Sequence, residues 1–260
     1  MSIALAHKRR LNALGPAAVS AGAVAQVYSA ETALSSPANA KKHLQLMVDA
    51  LNVDLDRISA IDSRDLRQQL KREELLPKYL DYVQRYLDSK LIFPNPVMMQ
   101  VLVWLFDTQQ FTQGLQLAQV AMVQEQELPE RFKRNVQTFV GDEVIEWAEA
   151  EYKAGRTPEP YVSDLLHLVD GEWQLFERIP ARYHKLLGII SIDLEEWAQA
   201  ITHFERAIEL YPEIGVGTRL ETARKALKKA ELAAVEEPPT EYPTTPPARN
   251  CGCEPSHLWP

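Results

Sequence analysis

The most apolar run of the chain extends from Val97 to Phe106 and is interrupted only by Gln100. It is too short to cross a bilayer, which needs ~20 apolar residues, and therefore predicts a buried helix. After a polar turn at residues 107–110, apolar side chains return at the spacing that lines one face of a helix: Phe111, Leu115, Ala118, Ala121 and Met122. The short connection predicts an antiparallel pair of helices.

The stretch before this pair has the same spacing of three and four. Its apolar positions are Leu75, Leu76, Tyr79, Leu80, Val83 and Leu87. Pro77 fits only in the first turn of a helix, because in the interior its ring displaces a backbone hydrogen bond. The pattern therefore predicts a helix that starts near Leu75.

Further upstream, apolar residues alternate between steps of four and three, as in a coiled-coil seam. These residues are Leu44, Val48, Leu51, Leu55 and Ile58. Leu66 and Leu70 extend the apolar stripe, but Asp62 and Ser63, between Ile58 and Leu66, suit a break or an N-cap. The pattern allows either one long helix or a helical hairpin.

The segment LPERFKRN, residues 128–135, interrupts the helical pattern. In the next helical stretch Asp142 suits the N-cap, Glu143 falls in the first turn, and Gly155 is placed to close the helix. Beyond it, Trp173 and Phe176 are predicted to contribute to packing.

Residues Leu187 to Pro212 match part of the tetratricopeptide pattern, with Ala200 followed by Phe204. A shift of 86 residues overlays Asp107 on Asp193 and Phe111 on Trp197. We therefore predict a duplicated helical hairpin, residues 97–123 and 183–210. The aromatic residues predicted for its core are Trp104, Phe111, Trp197 and Phe204.

The last helical pattern, RLETARKALKKAEL, begins after Thr218 and is predicted to cap the bundle. Its cations are favourable near a helix C-terminus. Beyond Glu236 the chain is rich in proline and without helical periodicity. Cys251 and Cys253 lack further ligands at zinc spacing, and Leu258–Trp259 could serve as a short docking motif.

The predicted fold is all-α: a helical bundle with a coiled-coil-like N-terminal part and a duplicated, tetratricopeptide-like hairpin. We expect a flexible basic arm at residues 1–37, a helical segment at 38–72 that is a coiled-coil and DNA-binding candidate, and an oligomerisation bundle at 73–234. A disordered tail is expected at 235–260. The composition agrees, since only 10 glycines and no sustained alternating runs of valine, isoleucine and threonine occur among 260 residues.

Cysteine usage and the N-terminus favour a cytoplasmic protein. The two cysteines lie in the last ten residues, so no disulfide framework can hold the fold. The basic cluster at residues 7–10 precedes an alanine-rich stretch without the compact apolar core of a signal peptide. Neither a membrane partner nor a cofactor is predicted.

The net charge of −8 is unevenly distributed. Residues 1–90 carry 13 Lys and Arg against 10 Asp and Glu, whereas residues 91–260 carry 15 against 26. Contact with phosphates requires clustered cations, so any DNA site should lie in the first third. The candidates are Lys8, Arg9, Arg10, Lys41, Lys42, Arg57, Arg64, Arg67, Lys71 and Arg72. Secondary candidates lie in the 128–135 turn: Arg131, Lys133 and Arg134.

These cations have two interpretations. A helix-turn-helix would place some of them on phosphates, whereas the interleaved aspartates would also explain them as a solvated, ion-paired face.

The acidic residues Asp142, Glu143 and Glu146 are a candidate metal site, because carboxylates one turn apart can share a cation. Acidic residues near a helix N-terminus explain the same pattern without metal. The six histidines are scattered without evident partners.

Three segments together resemble the small terminase subunit of temperate contractile-tailed phages, the GpM family. They are KREELLPKYLDYV (71–83), WLFDTQQFTQGLQLAQVAM (104–122) and LPERFKRNVQTFVGDEV (128–144). Members of this family usually end in a strongly basic tail, whereas this chain ends in a proline-rich one.

The resemblance implies a non-catalytic packaging component without a cofactor or metal. Such a protein binds the cos-type packaging-start site on double-stranded phage DNA as an oligomeric ring, and it recruits and regulates the large terminase ATPase–nuclease. It would act in the host cytoplasm and be absent from the mature virion. Rings also suit a modest basic patch, because symmetry repeats it. The alternatives are a tetratricopeptide-like adaptor that binds a protein partner, and a metal nuclease.

Overall fold

The computed structural model describes residue 34 and residues 37–236, whose regular secondary structure is helical and includes no strand. The all-α prediction is thereby confirmed. The predicted arm and tail lie almost entirely outside the described residues. The helices are α1 Pro37–Ser59, α2 Arg64–Leu70, α3 Leu76–Ser89, α4 Pro96–Asp107, α5 Phe111–Val123, α6 Val136–Lys153, α7 Tyr161–His167, α8 Arg178–Asp193, α9 Trp197–Leu210 and α10 Gly217–Glu236.

The chain forms two compact units that divide between Pro180 and Ala181. In the first, the ten residues from Val97 to Phe106 of α4 are all buried, and α1, α3 and α5 pack against this helix. In the second, α9 packs against α10, and its core includes Phe204, Leu220 and Ala223. None of the helices described is long and apolar enough to span a membrane.

Pro77 determines the local form of the helix that precedes α4. The helix α3 begins at Leu76, with Pro77 in its first turn as predicted. It is nevertheless continuous with α2 through a π-helical turn, Lys71–Leu75, in which the Leu76 backbone N–H donates to the Lys71 carbonyl. A proline lacks the N–H that would bond four residues back, so the wider turn accommodates the missing donor.

The break between α1 and α2 resolves the choice left by the sequence in favour of a hairpin. Ser63 caps α2, and its hydroxyl accepts a hydrogen bond from the Leu66 backbone N–H at 3.4 Å. Leu66 itself is exposed, so the predicted apolar stripe does not continue into the core along α2.

The buried face of α1 is rotated from the predicted seam. Leu51 and Ile58 are buried as expected, but Leu44, Val48 and Leu55 are only half-buried. The buried positions between and around them include two polar residues, His43 and Asp54. Periodicity of apolar residues alone misplaces the face, because the polar side chains are buried through partners on α3.

The α4–α5 and α8–α9 turns have the same backbone geometry 86 residues apart. Gln109 and Glu195 have φ of 61° and 60°. The Gln110 N–H donates to the Leu105 carbonyl and the Glu196 N–H to the Ser191 carbonyl, both at 2.8 Å. Similar left-handed turns end α5 and α6, but Gln110 and Glu196 also share N-cap torsions, near φ −90°, ψ 60°. The sequence echo thus has a counterpart in the backbone.

Two predictions about helix ends and packing are wrong. Asp142 lies inside α6 and does not cap it, because Asn135 caps the helix by accepting from the Thr138 N–H at 2.8 Å. Phe176 is exposed rather than packed in the core. Gly155, by contrast, has φ of 73° and follows α6 as predicted.

Candidate nucleic-acid interface

The N-terminal end of α1 presents free positive charge. Lys41 and Lys42 are exposed and form no ion pair with a described residue, and the first turn of α1 contains no acidic side chain. The partial positive charge at a helix N-terminus adds to these cations. Arg64 is also exposed at the start of α2, beyond the other end of α1, whose 23 residues extend for ~35 Å.

Arg57 belongs to an internal ion-pair network. Its guanidinium donates to Asp54 Oδ1 at 2.8 Å and to both oxygens of Glu74, at 2.7 and 3.1 Å. Asp54 is only 2% exposed and also accepts from Lys78 Nζ at 2.6 Å and Tyr79 Oη at 2.7 Å. The network joins α1 to the π turn and α3, so Arg57 has a structural role.

Protonation of Asp54 would disrupt this network. Burial disfavours the carboxylate, but hydrogen bonds from Lys78, Tyr79 and Arg57 outweigh that effect and lower the pKa of Asp54. Burial and the bond to Asp54 raise the pKa of Tyr79. The phenol therefore donates and the carboxylate accepts throughout the physiological range.

Three more cations of the same region contact their own chain. Lys71 Nζ lies 2.7 Å from Asp107 Oδ2, and Arg72 donates to the Thr108 carbonyl at 3.3 Å. Arg67 donates a longer bond, 3.4 Å, to the Asp62 carbonyl. Lys71 and Arg72 thus fasten the π turn to the end of α4.

In the 128–135 turn, the two arginines are engaged and the lysine is free. Arg134 donates to Asp142 at 2.8 Å and to Glu143 at 2.7 Å, and its guanidinium lies 5.0 Å from the centre of the Phe139 ring. Arg131 donates to Gln100 Oε1 at 2.9 Å. Lys133 is exposed and has no ion pair among the described residues.

The acidic residues proposed for a metal site are therefore neutralised in part by Arg134. Burial raises the pKa of Glu143, and the charge of Arg134 opposes that rise. Within the part of the chain that the structure describes, no three His, Cys, Asp or Glu side chains are grouped to hold a metal.

The helix α10, for which the sequence predicts only a capping role, has a cationic surface. Arg219, Lys225, Lys228 and Lys229 are exposed, whereas Arg224 pairs with Glu205 at 2.8 Å and Glu221 at 2.9 Å. Leu220 and Ala223 are buried, whereas Ala230 is exposed. The last turns of the described helix thus carry charge without packing.

Two histidines interact, contrary to the expectation of isolated ones. His184 Nδ1 lies 3.0 Å from His203 Nδ1, which joins α8 to α9. Burial and the neighbouring His184 lower the pKa of His203. Spacing along the sequence could not show this pair, because it depends on the fold of the hairpin.

Two exposed apolar residues on α1 were not predicted from the sequence. Leu46 and Val53 are 54% and 62% exposed and lie seven residues apart, on the same face of the helix. Their spacing could have identified them, but the stronger seam beside them contained more leucines. Lys8, Arg9 and Arg10 lie outside the described residues.

Comparison with known proteins places the chain among phage packaging proteins. The model of the phage small terminase subunit family matches residues 48–177, which is half of the chain. The "Probable terminase, endonuclease subunit" of Haemophilus phage HP1 (strain HP1c1) is 29% identical over 209 residues, 75% of this chain and 74% of the relative. The "Terminase, endonuclease subunit" of Escherichia phage P2 is 27% identical over 183 residues, 70% and 73% of the two chains. No solved structure matches the chain. The chain therefore belongs to the phage small terminase subunit family.

Proposed function

We propose that the chain binds the packaging-start, cos-type site on double-stranded phage DNA as an oligomeric ring and recruits and regulates the large terminase ATPase–nuclease. It would act in the host cytoplasm and be absent from the mature virion. Family membership supports the packaging role. The observation that supports the DNA contact is that some candidate cations are free, whereas others form bonds within the chain.

The free cations suit phosphate contact. Lys41, Lys42 and Arg64 are exposed and unpaired among the described residues, so binding of a phosphate would break no internal ion pair. Arg57 and Lys71 would first have to leave carboxylates. The interface that we propose therefore consists of Lys41, Lys42 and Arg64, together with the basic residues Lys8, Arg9 and Arg10.

Self-association is supported by the exposed apolar face of α1. Leu46 and Val53 remain exposed within one chain, and a second copy that covered them would remove their apolar surface from water. Because a ring repeats each protomer's cations around an axis, the few free cations of each chain recur around the ring and their contributions to DNA binding add up.

Light scattering after gel filtration tests the oligomer. We expect a mass that is a multiple of 29.5 kDa, and we expect Leu46→Asp with Val53→Asp to lower it. Leu194→Asp changes another exposed leucine, in the α8–α9 turn, and should leave the mass unchanged. A monomeric wild-type protein at micromolar concentration would contradict the ring.

A catalytic function requires a direct test, because both relatives are named endonuclease subunits. We propose that cutting and ATP hydrolysis belong to the large subunit, since Arg134 already occupies two of the three candidate acids. The isolated chain should then fail to nick supercoiled DNA with Mg²⁺. Magnesium-dependent nicking that disappears in Glu143→Ala would establish the nuclease instead.

A further inference from the structure

A groove on the first unit is formed by α1 and by the two loops that flank α4 and α5. It has a volume of about 860 Å³ and is lined by Val48, Leu51 and Leu55 of α1, the 92–96 loop, and the 124–131 loop. Ile92 at its edge is 71% exposed. The groove therefore offers apolar surface to an occupant.

Buried hydrogen bonds hold both loops in place. The Gln126 side chain accepts from the Asn95 backbone N–H and donates to the Phe93 carbonyl, both at 2.8 Å. Tyr86 donates to the Gln124 side-chain oxygen at 2.7 Å. Asn95 in turn caps α4 by accepting from the Met98 N–H at 3.1 Å. Because these bonds fix both walls, the groove is formed before anything binds.

The wall of the groove leaves one hydrogen-bond donor without an acceptor. Gln100 is 2% exposed, its Oε1 accepts from Arg131, and its Nε2 has no partner. Exchange of the amide atoms would not help, since Arg131 is itself a donor. A buried polar atom without a partner is costly, and a carbonyl oxygen of an occupant would remove that cost.

One side of the groove is acidic. Glu125, Glu127 and Glu130 are exposed, line the groove and form no ion pair with a described residue. The chemistry of the groove thus fits a peptide with leucine-sized side chains, an available carbonyl and several positive charges.

The chain contains such a segment. Residues 7–14 read HKRRLNAL, in which Lys8, Arg9 and Arg10 are followed by Leu11 and Leu14. From Leu14 to the start of α1 the chain could extend to ~70 Å, whereas the path along α1 from Pro37 to Leu51 is only ~20 Å. Tethering raises the effective concentration of the segment at the groove.

We propose that the groove binds residues 7–14 of the same chain, with the leucines on its apolar wall and the cations against the three glutamates. A consequence, which rests on the proposed function, is that the groove competes with DNA for the same cations. The basic segment would then be held until DNA phosphates displace it.

Carbodiimide cross-linking of the full-length protein without DNA tests the docking alone. We expect an amide link between Lys8 and Glu125, Glu127 or Glu130, identified by mass spectrometry. A protein that fails to bind DNA but forms this link would refute the proposed function and leave the docking intact. A protein that binds DNA but does not form the link would refute only the docking in the groove. Links from these glutamates to Lys225, Lys228 or Lys229 alone would indicate a different occupant and contradict the proposal, as would no link.

A variant at the edge of the groove distinguishes specific docking of residues 7–14 from random contacts between Lys8 and the glutamates. Ile92→Arg places a repulsive charge at the exposed edge, adds no amine that carbodiimide can couple, and should lower the Lys8 link at least fivefold. Phe176→Arg makes the same kind of change at another exposed position of this unit and should not. Equal yields in both variants would overturn the proposal. Added duplex DNA should suppress the link, and an unchanged yield under saturating DNA would contradict the competition.

Discussion

Phe204 of α9 lies directly against Gly188 of α8, where a β-carbon would approach the ring to 2.6 Å. The reverse arrangement occurs in the other hairpin, where Gly114 on the second helix faces Phe106 on the first, with a corresponding distance of 2.9 Å. Each hairpin thus pairs one glycine with one phenylalanine. The glycine lies on the second helix of the first hairpin and on the first helix of the second hairpin. The close helix approach depends on these pairs.

Gly188→Ala should therefore destabilise the second unit by up to ~2 kcal/mol in urea unfolding, because overpacking costs ~1–3 kcal/mol and the better helix propensity of alanine returns ~1 kcal/mol. Gly217→Ala adds the same methyl group where nothing lies within 4 Å and should not destabilise. In the double variant with Phe204→Leu the destabilisations should be less than additive. Additive effects would show that the ring and the glycine are not coupled.

Because Asp54 is the buried acid of its network, we expect its substitution to lower stability more than substitution of an exposed acid on the same helix. Asp54→Ala leaves the buried Tyr79 hydroxyl without its acceptor and should cost ~1–3 kcal/mol, whereas Asp56→Ala removes an exposed carboxylate of the same helix and should cost under ~0.5 kcal/mol. Because the pKa of Asp54 is lowered on folding, its contribution is complete above the ordinary value near 3.9 and is lost as pH falls through the folded value. Equal effects of the two substitutions in urea unfolding would argue against the network.

We expect substitution of Arg134 to affect stability and substitution of Lys133 to affect only DNA affinity. Arg134→Ala removes both bonds to Asp142 and Glu143 and should lower stability by ~1–3 kcal/mol. Lys133→Ala should leave stability within ~0.5 kcal/mol and, if the turn contacts phosphate, lower DNA affinity. Thermal unfolding and DNA titration of both variants test this assignment. A stable Arg134→Ala with weakened DNA binding would instead place Arg134 on DNA.

The histidine pair makes the second unit sensitive to acid. Folding lowers the pKa of His203, so the unfolded state binds more protons in the window below its ordinary pKa near 6.5. The free energy of unfolding should consequently be complete above pH 6.5 and fall as pH is lowered. His203→Gln should reduce this fall, while that due to His43, whose pKa burial also lowers, should persist. An unchanged pH profile in His203→Gln would contradict the assignment.

The sequence predicted those parts of the fold that depend on local periodicity and special residues. The apolar α4, the turn at Gln109, the position of Pro77 and the glycine after α6 all follow from spacing and backbone chemistry. The face of α1 could not be predicted, because Asp54 is buried only through Lys78 and Tyr79, which another helix supplies. Such partners are invisible to a pattern read along one helix.

Prediction of the candidate site from the sequence had the same limit. Composition placed the cations in the first third of the chain, but it could not tell free Lys42 from ion-paired Arg57, since pairing with Glu74 crosses 17 residues of sequence. It also could not identify the groove, whose walls come from α1 and from two loops that Gln126 and Asn95 join to each other.

The salt dependence of DNA binding tests the central claim most directly. Lys41, Lys42 and Arg64 should contact phosphates, so the triple glutamine variant should lower the slope of log affinity against log salt by ~0.9 for each phosphate that the variant no longer neutralises. The control is Arg72→Gln, whose guanidinium already donates to the Thr108 carbonyl and whose removal should leave the slope nearly unchanged. The measurement is fluorescence anisotropy of a cos-containing duplex between ~50 and ~200 mM salt, a range in which ~6–10 phosphate contacts would change affinity strongly. We expect a shallower slope only in the triple variant; an identical slope in wild type and triple variant, or no DNA binding by the full chain at low salt, would contradict the account.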